Sequence, residues 1–173
     1  MKNFIPTFAA SNIYAVDPVF FKEQGVKTLL LDLDNTLASY RAHRASNRTI
    51  NYLKELEKLG IRLFIISNNK GPRVESYAAS VNLPYLASAR KPFTKRIKRF
   101  LSTHDIDIAT LMFVGDQLLT DVLVANKLGA RILLCEKLVK EDQWTTRFNR
   151  LIDRPLRRKL RRKNLLKEWN DGR

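Results

Sequence analysis

The segment from Leu29 to Thr36 constrains the fold of this chain more than any other part of its sequence. Three leucines lead into Asp32, and Asp34 follows two positions later in a polar turn. A short, continuous apolar run predicts a buried strand of a parallel sheet. In open α/β sheets, ligands bind just beyond the carboxyl ends of such strands. Two carboxylates there are costly unless a cation neutralises them, and we expect a hard divalent ion such as Mg²⁺.

Similar apolar runs alternate with helical patterns along the chain, which predicts an α/β fold. Buried parallel strands are expected at Thr28–Leu33, Arg62–Ile66, Leu111–Val114 and Arg131–Cys135, with a weaker one at 85–87. Helices are expected at 47–59, 72–80, 93–101 and about 120–128. Right-handed crossovers between these strands give a doubly wound, Rossmann-like, mostly parallel sheet with helices on both faces.

Polar side chains also follow two other predicted strands. Ser67 and Asn68 come after the strand at 62–66, and Asp116 and Asp121 come after the strand at 111–114, with Lys91 between the two groups. Taken singly, Asp121 could cap the next helix and Lys91 could be a surface lysine. The ordered set of acid pair, hydroxyl, lysine and second acid pair is far more specific than any of its members.

This ordered set resembles the four motifs of the haloacid dehalogenase superfamily of phosphotransferases. The segment Asp32–Thr36 is similar to the first motif, Ser67 to the second, Lys91 to the third and Gly115–Asp121 to the fourth. The resemblance covers about residues 27–135. Within the superfamily, the motif sequences are most similar to those of the small, capless bacterial phosphatases of the YqeG type. These are akin to the mitochondrial phosphatidylglycerophosphate phosphatases.

The resemblance implies a catalytic role for the principal residues. Asp32 would attack phosphorus and form an aspartyl-phosphate, and Asp34 would protonate the leaving oxygen and then activate water. The carboxylates of Asp32 and Asp116, with the backbone carbonyl of Asp34, would hold Mg²⁺. Ser67 and Lys91 would bind the phosphoryl oxygens.

Two further residues have supporting roles in the implied mechanism. Asn68 would assist Ser67 and Lys91 in binding substrate. Asp121 would orient Lys91 or a metal-bound water rather than bind the metal directly. An acid at position 34 favours a phosphatase over the ion-pumping ATPases of the superfamily, which carry threonine there, and over a dehalogenase.

The spacing of the motifs leaves no room for a cap domain. Only 32 residues separate Asp34 from Ser67, and 23 separate Ser67 from Lys91. We therefore expect one phosphatase domain at 1–142 with a site open to solvent, followed by a basic, helical tail at 143–173 that is interrupted at Pro155. An open site suits a substrate that is too large or too membrane-bound to be enclosed.

The charge of the chain is +15 and is concentrated at the carboxyl end. Residues 137–173 contain 13 Lys/Arg against 5 Asp/Glu, a surplus of eight. Such a field favours polyanionic partners. The tail also carries an apolar series at near-helical spacing, which is typical of an interfacial helix on an anionic membrane. The same helix could pack its leucines on the domain and present its basic face to RNA or the ribosome, or remain solvated. The apolar residues of the series are Leu151, Ile152, Leu156, Leu160, Leu165, Leu166 and Trp169.

These observations favour a Mg²⁺-dependent phosphomonoester hydrolase. The favoured substrate is a phosphorylated membrane lipid such as phosphatidylglycerophosphate, a choice that rests on the resemblance, the open site and the cationic surface. A phosphatase of nucleotides, nucleic-acid ends or phosphoproteins is one alternative, and an RNA- or ribosome-binding protein with a vestigial site is another. Cys135 is the only cysteine, which fits a protein of the reducing cytoplasm. We expect the basic tail to hold it at the inner face of the membrane. The sequence leaves the oligomeric state open.

Overall fold

A computed structural model describes residues 2–138 and 144–171 of the chain. The described residues form one sheet of six strands, all parallel, in the order β1-β6-β5-β2-β3-β4. The strands are β1 (Phe8–Ala10), β2 (Thr28–Asp32), β3 (Arg62–Ile66), β4 (Tyr85–Leu86), β5 (Leu111–Gly115) and β6 (Arg131–Cys135). The four principal predicted strands are therefore confirmed, with shifts of one residue at the ends of β2 and β5.

Six α-helices connect and follow the strands in the described part of the chain. They are α1 (Pro18–Glu23), α2 (Asn47–Lys58), α3 (Gly71–Val81), α4 (Lys95–Thr103), α5 (Leu123–Leu128) and α6 (Trp144–Arg162). A π-helical turn at Leu118–Val122 leads directly into α5. The helices cover both faces of the sheet, as the alternation of patterns predicts.

The alternating side chains of the strands divide the apolar core into two layers. In β2, Leu29 and Leu31 lie in the core under α1, α2 and α3, whereas Leu30 lies in the core under α4, α5 and α6. Successive side chains of a strand point to opposite faces, so a strand covered on both sides must be apolar throughout. This is why the sequence shows continuous apolar runs instead of alternation.

The strand order places a topological switch point beside β2. The chain leaves β2 for β3 and β4 in one direction and returns on the other side of β2 as β5. The carboxyl ends of β2 and β5 therefore border the crevice in which open α/β sheets bind ligands. Asp32 ends β2, and Asp116 directly follows β5. Between Asp34 and Lys91, where every residue is described, the chain forms only α2, β3, α3, β4 and their loops, so this segment contributes no cap domain.

Strand β1 and helix α1 were not predicted from the sequence. The strand has only three residues, two of them alanine. It is held from both sides, because it pairs with β6 and with the segment after α6. The Ala9 N–H donates to the Lys167 carbonyl at 2.7 Å, and the Trp169 N–H donates to the Ala9 carbonyl at 2.9 Å. Long-range pairing of this kind leaves no local pattern.

Helix α6 continues through Pro155, where the sequence predicts an interruption. Proline lacks an N–H and ordinarily kinks or ends a helix. Tertiary contacts oppose this effect, because Leu160 is fully buried and Leu156 packs against the same core layer as α4 and α5. The boundary predicted between residues 142 and 143 falls outside the described residues.

Most of the apolar series predicted in the tail contacts the rest of the protein. Trp169 meets Phe20 edge to face with ring centroids 5.6 Å apart, and Leu165 and Leu166 pack beside Leu156 on the core. Ile152 is the exception among the described side chains, since it is half exposed. The side chain of Leu151 lies outside the described part. No helix in that part combines the length and the hydropathy that a membrane span requires.

Candidate active site

Lys91 lies at the centre of the crevice between two carboxylates. Its Nζ is 2.6 Å from Asp32 Oδ1 and 2.6 Å from Asp121 Oδ1, and it donates to the Ile66 carbonyl at 3.3 Å. The lysine side chain is only 3% exposed. Burial lowers the pKa of Lys91, but the charges of Asp121 and Asp32 and their hydrogen bonds outweigh burial and hold that pKa above its ordinary value. Lys91 is therefore a permanently charged group at the end of β2.

Asp32 is a buried carboxylate in a strongly charged environment. Burial raises the pKa of Asp32, the charge of Lys91 opposes the rise, and Asp121, Asp116 and Asp34 add to it. The Thr36 hydroxyl donates to Asp32 Oδ2 at 3.3 Å. Any further cation placed here would act with Lys91 and favour the ionised form of Asp32.

Three buried carboxylates of the crevice could hold a metal ion together. Asp32, Asp116 and Asp121 each offer one oxygen, and these oxygens lie within 4.8 Å of one another. With Asp34, four carboxylates lie close together around the cations of Lys91 and Arg73. Buried charge requires compensation, and carboxylate oxygens are the preferred ligands of hard divalent ions. The residues present therefore fit a divalent cation.

Gly115 allows the close approach of Asp121 to β5. A Cβ atom at position 115 would lie 2.6 Å from Asp121 Oδ2 and 2.6 Å from Asp121 Cβ, well inside van der Waals contact. Asp121 Oδ2 also accepts the Gln117 N–H at 3.1 Å, while its other oxygen accepts from Lys91. The predicted fourth motif therefore requires a glycine here for space.

Asp34 faces a different set of partners from Asp32. Its Oδ1 forms an ion pair with the Arg73 guanidinium at 2.6 Å, and its Oδ2 accepts from Asn69 Nδ2 at 2.7 Å and from the Ser67 hydroxyl at 3.4 Å. The Asp34 side chain is 16% exposed. It lies toward the open side of the crevice, outside the cluster of three carboxylates.

Ser67 and Asn68 form the turn that follows β3. The Ser67 hydroxyl accepts the Asn69 N–H at 3.0 Å while it reaches Asp34. The Asn68 side chain bridges to the backbone of Lys91, because its Oδ1 accepts the Lys91 N–H at 2.7 Å and its Nδ2 donates to the Lys91 carbonyl at 2.9 Å. Both polar atoms of the Asn68 amide thus bind the lysine loop.

The structure brings all the residues predicted for the site to this one edge of the sheet, but adds two that sequence reasoning missed. Asn69 and Arg73 both contact Asp34. Asn69 was visible as the second amide after Ser67, yet the sequence does not show which of two adjacent amides faces the crevice. Arg73 lies in the first turn of α3, and Gly71 and Pro72 before it indicated only a helix start.

Helix α6 also touches the loop that carries the second acid pair. The Leu118 N–H donates to Asp153 Oδ1 at 2.7 Å, and Asp153 Oδ2 accepts from Arg157 Nε at 2.8 Å. Arg157 also donates to the carbonyls of Asp116 and Cys135. A residue pair from the carboxyl-terminal helix therefore fixes the backbone at the entry to the π-helical turn.

Comparisons with known proteins identify the family of the chain. A family model described as "Mitochondrial PGP phosphatase" matches residues 1–140. The protein named "Probable phosphatase YqeG" from Bacillus subtilis (strain 168) is 34% identical over 170 residues, which are 98% of both chains.

Solved structures of low sequence identity share the fold. The cobalt-bound deoxy-D-mannose-octulosonate 8-phosphate phosphatase of Haemophilus influenzae aligns with a TM-score of 0.50 and 13% identity, over 67% of this chain and 81% of its own. The 3-deoxy-D-manno-octulosonate 8-phosphate phosphatase of Yersinia pestis aligns with a TM-score of 0.50 and 14% identity, over 70% and 78%. The family model and the Bacillus subtilis relative show that the chain belongs to the mitochondrial PGP phosphatase family and is a phosphatase.

Proposed function

We propose that the protein is a Mg²⁺-dependent phosphomonoesterase that acts through an aspartyl-phosphate on Asp32, with phosphatidylglycerophosphate as its substrate. The observation that carries the proposal is the cluster of Asp32, Asp116 and Asp121 around the ammonium of Lys91 at the switch point of the sheet. A nucleophile, a charge-stabilising cation and a metal-ligand set are then within reach of one phosphoryl group.

The carboxylates of Asp32 and Asp116 and the backbone carbonyl of Asp34 would hold the ion. Bound there, Mg²⁺ would supply charge neutralisation for the phosphoryl oxygens. Asp121 shares one oxygen with Lys91 and the other with the Gln117 N–H, so we assign it the role of positioning Lys91. These hydrogen bonds leave it less suited to ligate metal than Asp116.

The side chains divide the reaction between them. Asp32 attacks phosphorus while Lys91 and the Ser67 hydroxyl bind the equatorial oxygens. Asp34, on the open side of the crevice, gives a proton to the leaving oxygen and later takes one from the attacking water. Asn68 contributes to binding indirectly, since its amide positions the backbone of Lys91.

Support for a lipid substrate comes from three sources. The matching family model is described as "Mitochondrial PGP phosphatase", no cap domain stands between Asp34 and Lys91, and the surface is strongly basic. Since most of the described apolar residues of α6 pack inward, contact with an anionic membrane would be electrostatic, through exposed cations such as Arg154, Arg158 and Arg162. This would place the enzyme in the cytoplasm, at the inner face of the membrane.

The test is phosphate release from phosphatidylglycerophosphate in mixed micelles, with and without Mg²⁺, beside a panel of phosphosugars, nucleotides and a phosphopeptide. We expect the highest kcat/KM on the lipid, and loss of all turnover in Asp32→Asn. Glu57→Gln, an equal change on the exposed face of α2, is the control and should retain wild-type rates. Wild-type turnover by Asp32→Asn would refute the mechanism, whereas higher efficiency on a soluble ester would reject only the lipid.

The exposed cations of α6 also favour a second candidate, in which the basic surface binds RNA or the ribosome. Cosedimentation of the full chain with anionic liposomes and with RNA, at equal ionic strength, separates the two. Preferential binding to RNA, combined with no phosphatase activity on any ester of the panel, would support this candidate.

A further inference from the structure

A basic cavity of about 320 Å³ opens beside the catalytic crevice. One wall is the pair of residues that follow β6, Glu136 and Lys137. The other wall is the face of α6 that carries Asp153, Arg154, Arg157, Arg158 and Arg161. Neither the motifs of the superfamily nor the proposed mechanism uses this cavity.

Both walls are attached to the backbone of the catalytic loops. Arg157 donates to the carbonyl of Asp116, next to the metal-ligand position. One residue beyond the other wall, the Leu138 N–H donates to the Asn35 carbonyl at 3.1 Å, within the turn that carries Asp32 and Asp34. The cavity therefore adjoins the site at which phosphoryl transfer would occur.

The charges in the cavity leave cations without partners. Its two carboxylates are already paired, Asp153 with Arg157 at 2.8 Å and Glu136 with Arg161. Arg154 and Arg158 have no ion-pair or hydrogen-bond partner within the described residues, and both are exposed. Arg154 and Arg158 therefore present two uncompensated positive charges on a concave surface.

Arginine side chains at a concave surface are suited to one ligand chemistry. The guanidinium fork binds phosphate oxygens in pairs, and a concave cationic wall concentrates field toward an anion. We propose that this cavity is a subsite for a second phosphate group of the substrate, bound by Arg154 and Arg158 while the scissile phosphate lies at Asp32. The inference rests on the proposed phosphatase activity and narrows its substrates to phosphomonoesters that carry a further phosphate.

The test compares substrates with one and with two phosphates. The single-phosphate probe is p-nitrophenyl phosphate. The two-phosphate probes are phosphatidylglycerophosphate in mixed micelles and its deacylated, soluble counterpart, glycerophosphoglycerol phosphate. In Arg154→Gln and Arg158→Gln we expect KM for both two-phosphate probes to rise about tenfold per variant, as loss of a charge-assisted hydrogen bond implies. KM for p-nitrophenyl phosphate, and kcat for every probe, should stay within twofold.

The double variant Arg154→Gln/Arg158→Gln has a matched control on the same helix, the double variant Lys159→Gln/Arg162→Gln. Both residues are exposed and lie outside the cavity, so the pair removes as much charge as Arg154→Gln/Arg158→Gln without touching the subsite. An equal rise of KM for the soluble two-phosphate probe in the control would overturn the proposal, because it would show a diffuse charge effect. Unchanged KM in the Arg154 and Arg158 variants would also overturn it.

Comparison of the soluble and the micellar probe also shows whether the bound phosphate belongs to the substrate or to neighbouring lipids. A rise of KM with the soluble compound supports recognition of the second phosphate of the substrate itself. A rise of KM confined to the micellar substrate would overturn the subsite, because the lost contact would then be with other lipids of the micelle surface. Absence of turnover by the wild-type protein on all three probes would instead refute the proposed function.

Discussion

Gly115 and Lys91 show how strongly single positions determine the geometry of the crevice. Lys91 joins the carboxylate of Asp32 at the end of β2 to that of Asp121 in the π-helical turn, and Asp121 reaches it only because position 115 has no side chain. Asp121 is 2% exposed and is held at both oxygens, so it has no room to move aside. A small steric change in β5 is therefore transmitted to the ammonium.

We expect Gly115→Ala to lower kcat by about 10²-fold, the usual effect of displacing a catalytic group by about 1 Å. The measurement is phosphate release under saturating substrate, with circular dichroism to verify the fold. Gly71→Ala is the control, because a Cβ at position 71 meets nothing within 4 Å. If Gly115→Ala retained more than half of the wild-type kcat, Asp121 would not position Lys91.

Sequence reasoning found the principal residues of the site because each follows an apolar strand. Asp32, Ser67 and Asp116 were predictable from that rule, and Lys91 from its place in the ordered set. The partners of Asp34 were not predictable. Asn69 and Arg73 meet it across a turn, and the direction of a turn side chain depends on backbone angles that the residue types do not specify. The catalytic roles remain predictions.

At the scale of elements, helix α6 supports the loop between β5 and α5. Asp153 accepts the Leu118 N–H at the start of the π-helical turn, and Arg157 binds the carbonyl just before that turn. The Asp153 and Arg157 side chains are only 8% and 17% exposed. The turn carries Asp121, so the helix holds part of the active site in place.

We expect Asp153→Ala to lower the free energy of unfolding by about 3 kcal/mol, because it leaves the Arg157 charge and the buried Leu118 N–H without their acceptor. Urea denaturation measures this loss, and kcat should fall with it. Asp153→Asn, which keeps an oxygen for Leu118, should lose less than half as much. Equal losses in the two variants would assign the effect to the ion pair alone.

The support that α6 gives to the site was hidden in the sequence by the charge pattern. Seven basic residues and no acid between Arg154 and Lys163 are typical of an exposed helix. The lone Asp153, four residues before Arg157, was the only indication of a buried contact. Pro155 pointed in the opposite direction, and tertiary packing overrode it.

At the scale of the whole molecule, the predicted doubly wound sheet is confirmed, and the basic residues of the carboxyl-terminal helix lie mostly on its solvent-facing side. The doubly wound sheet follows from continuous apolar strands that alternate with helices, a pattern carried by almost every residue of the core. The order of the strands was not predictable, since apolar runs of similar composition can exchange places. Among the described side chains of α6, the basic residues other than Arg157 face solvent, whereas Leu156 and Leu160 face the core.

Binding to anionic vesicles should therefore depend steeply on salt. Exposed cations interact through a field that is screened within about 10 Å at 0.1 M ionic strength. We expect the affinity for phosphatidylglycerol-containing vesicles to fall by more than tenfold between low salt and about 0.5 M NaCl. Sedimentation with the Lys159→Gln/Arg162→Gln variant, which should bind more weakly at low salt, is the companion measurement. Binding that resisted salt would indicate that apolar residues of α6 leave the core and insert into the bilayer.

The segment after α6 that pairs with β1 affects how the protein folds during its synthesis. Until those residues are available, the outer side of β1 offers unpaired amide and carbonyl groups, which are a template for other chains. The residues that cover them are translated after the rest of the sheet. A chain that stops before Lys167 should accordingly assemble with its own copies through this exposed strand, and the yield of soluble protein should depend on residues 167–169.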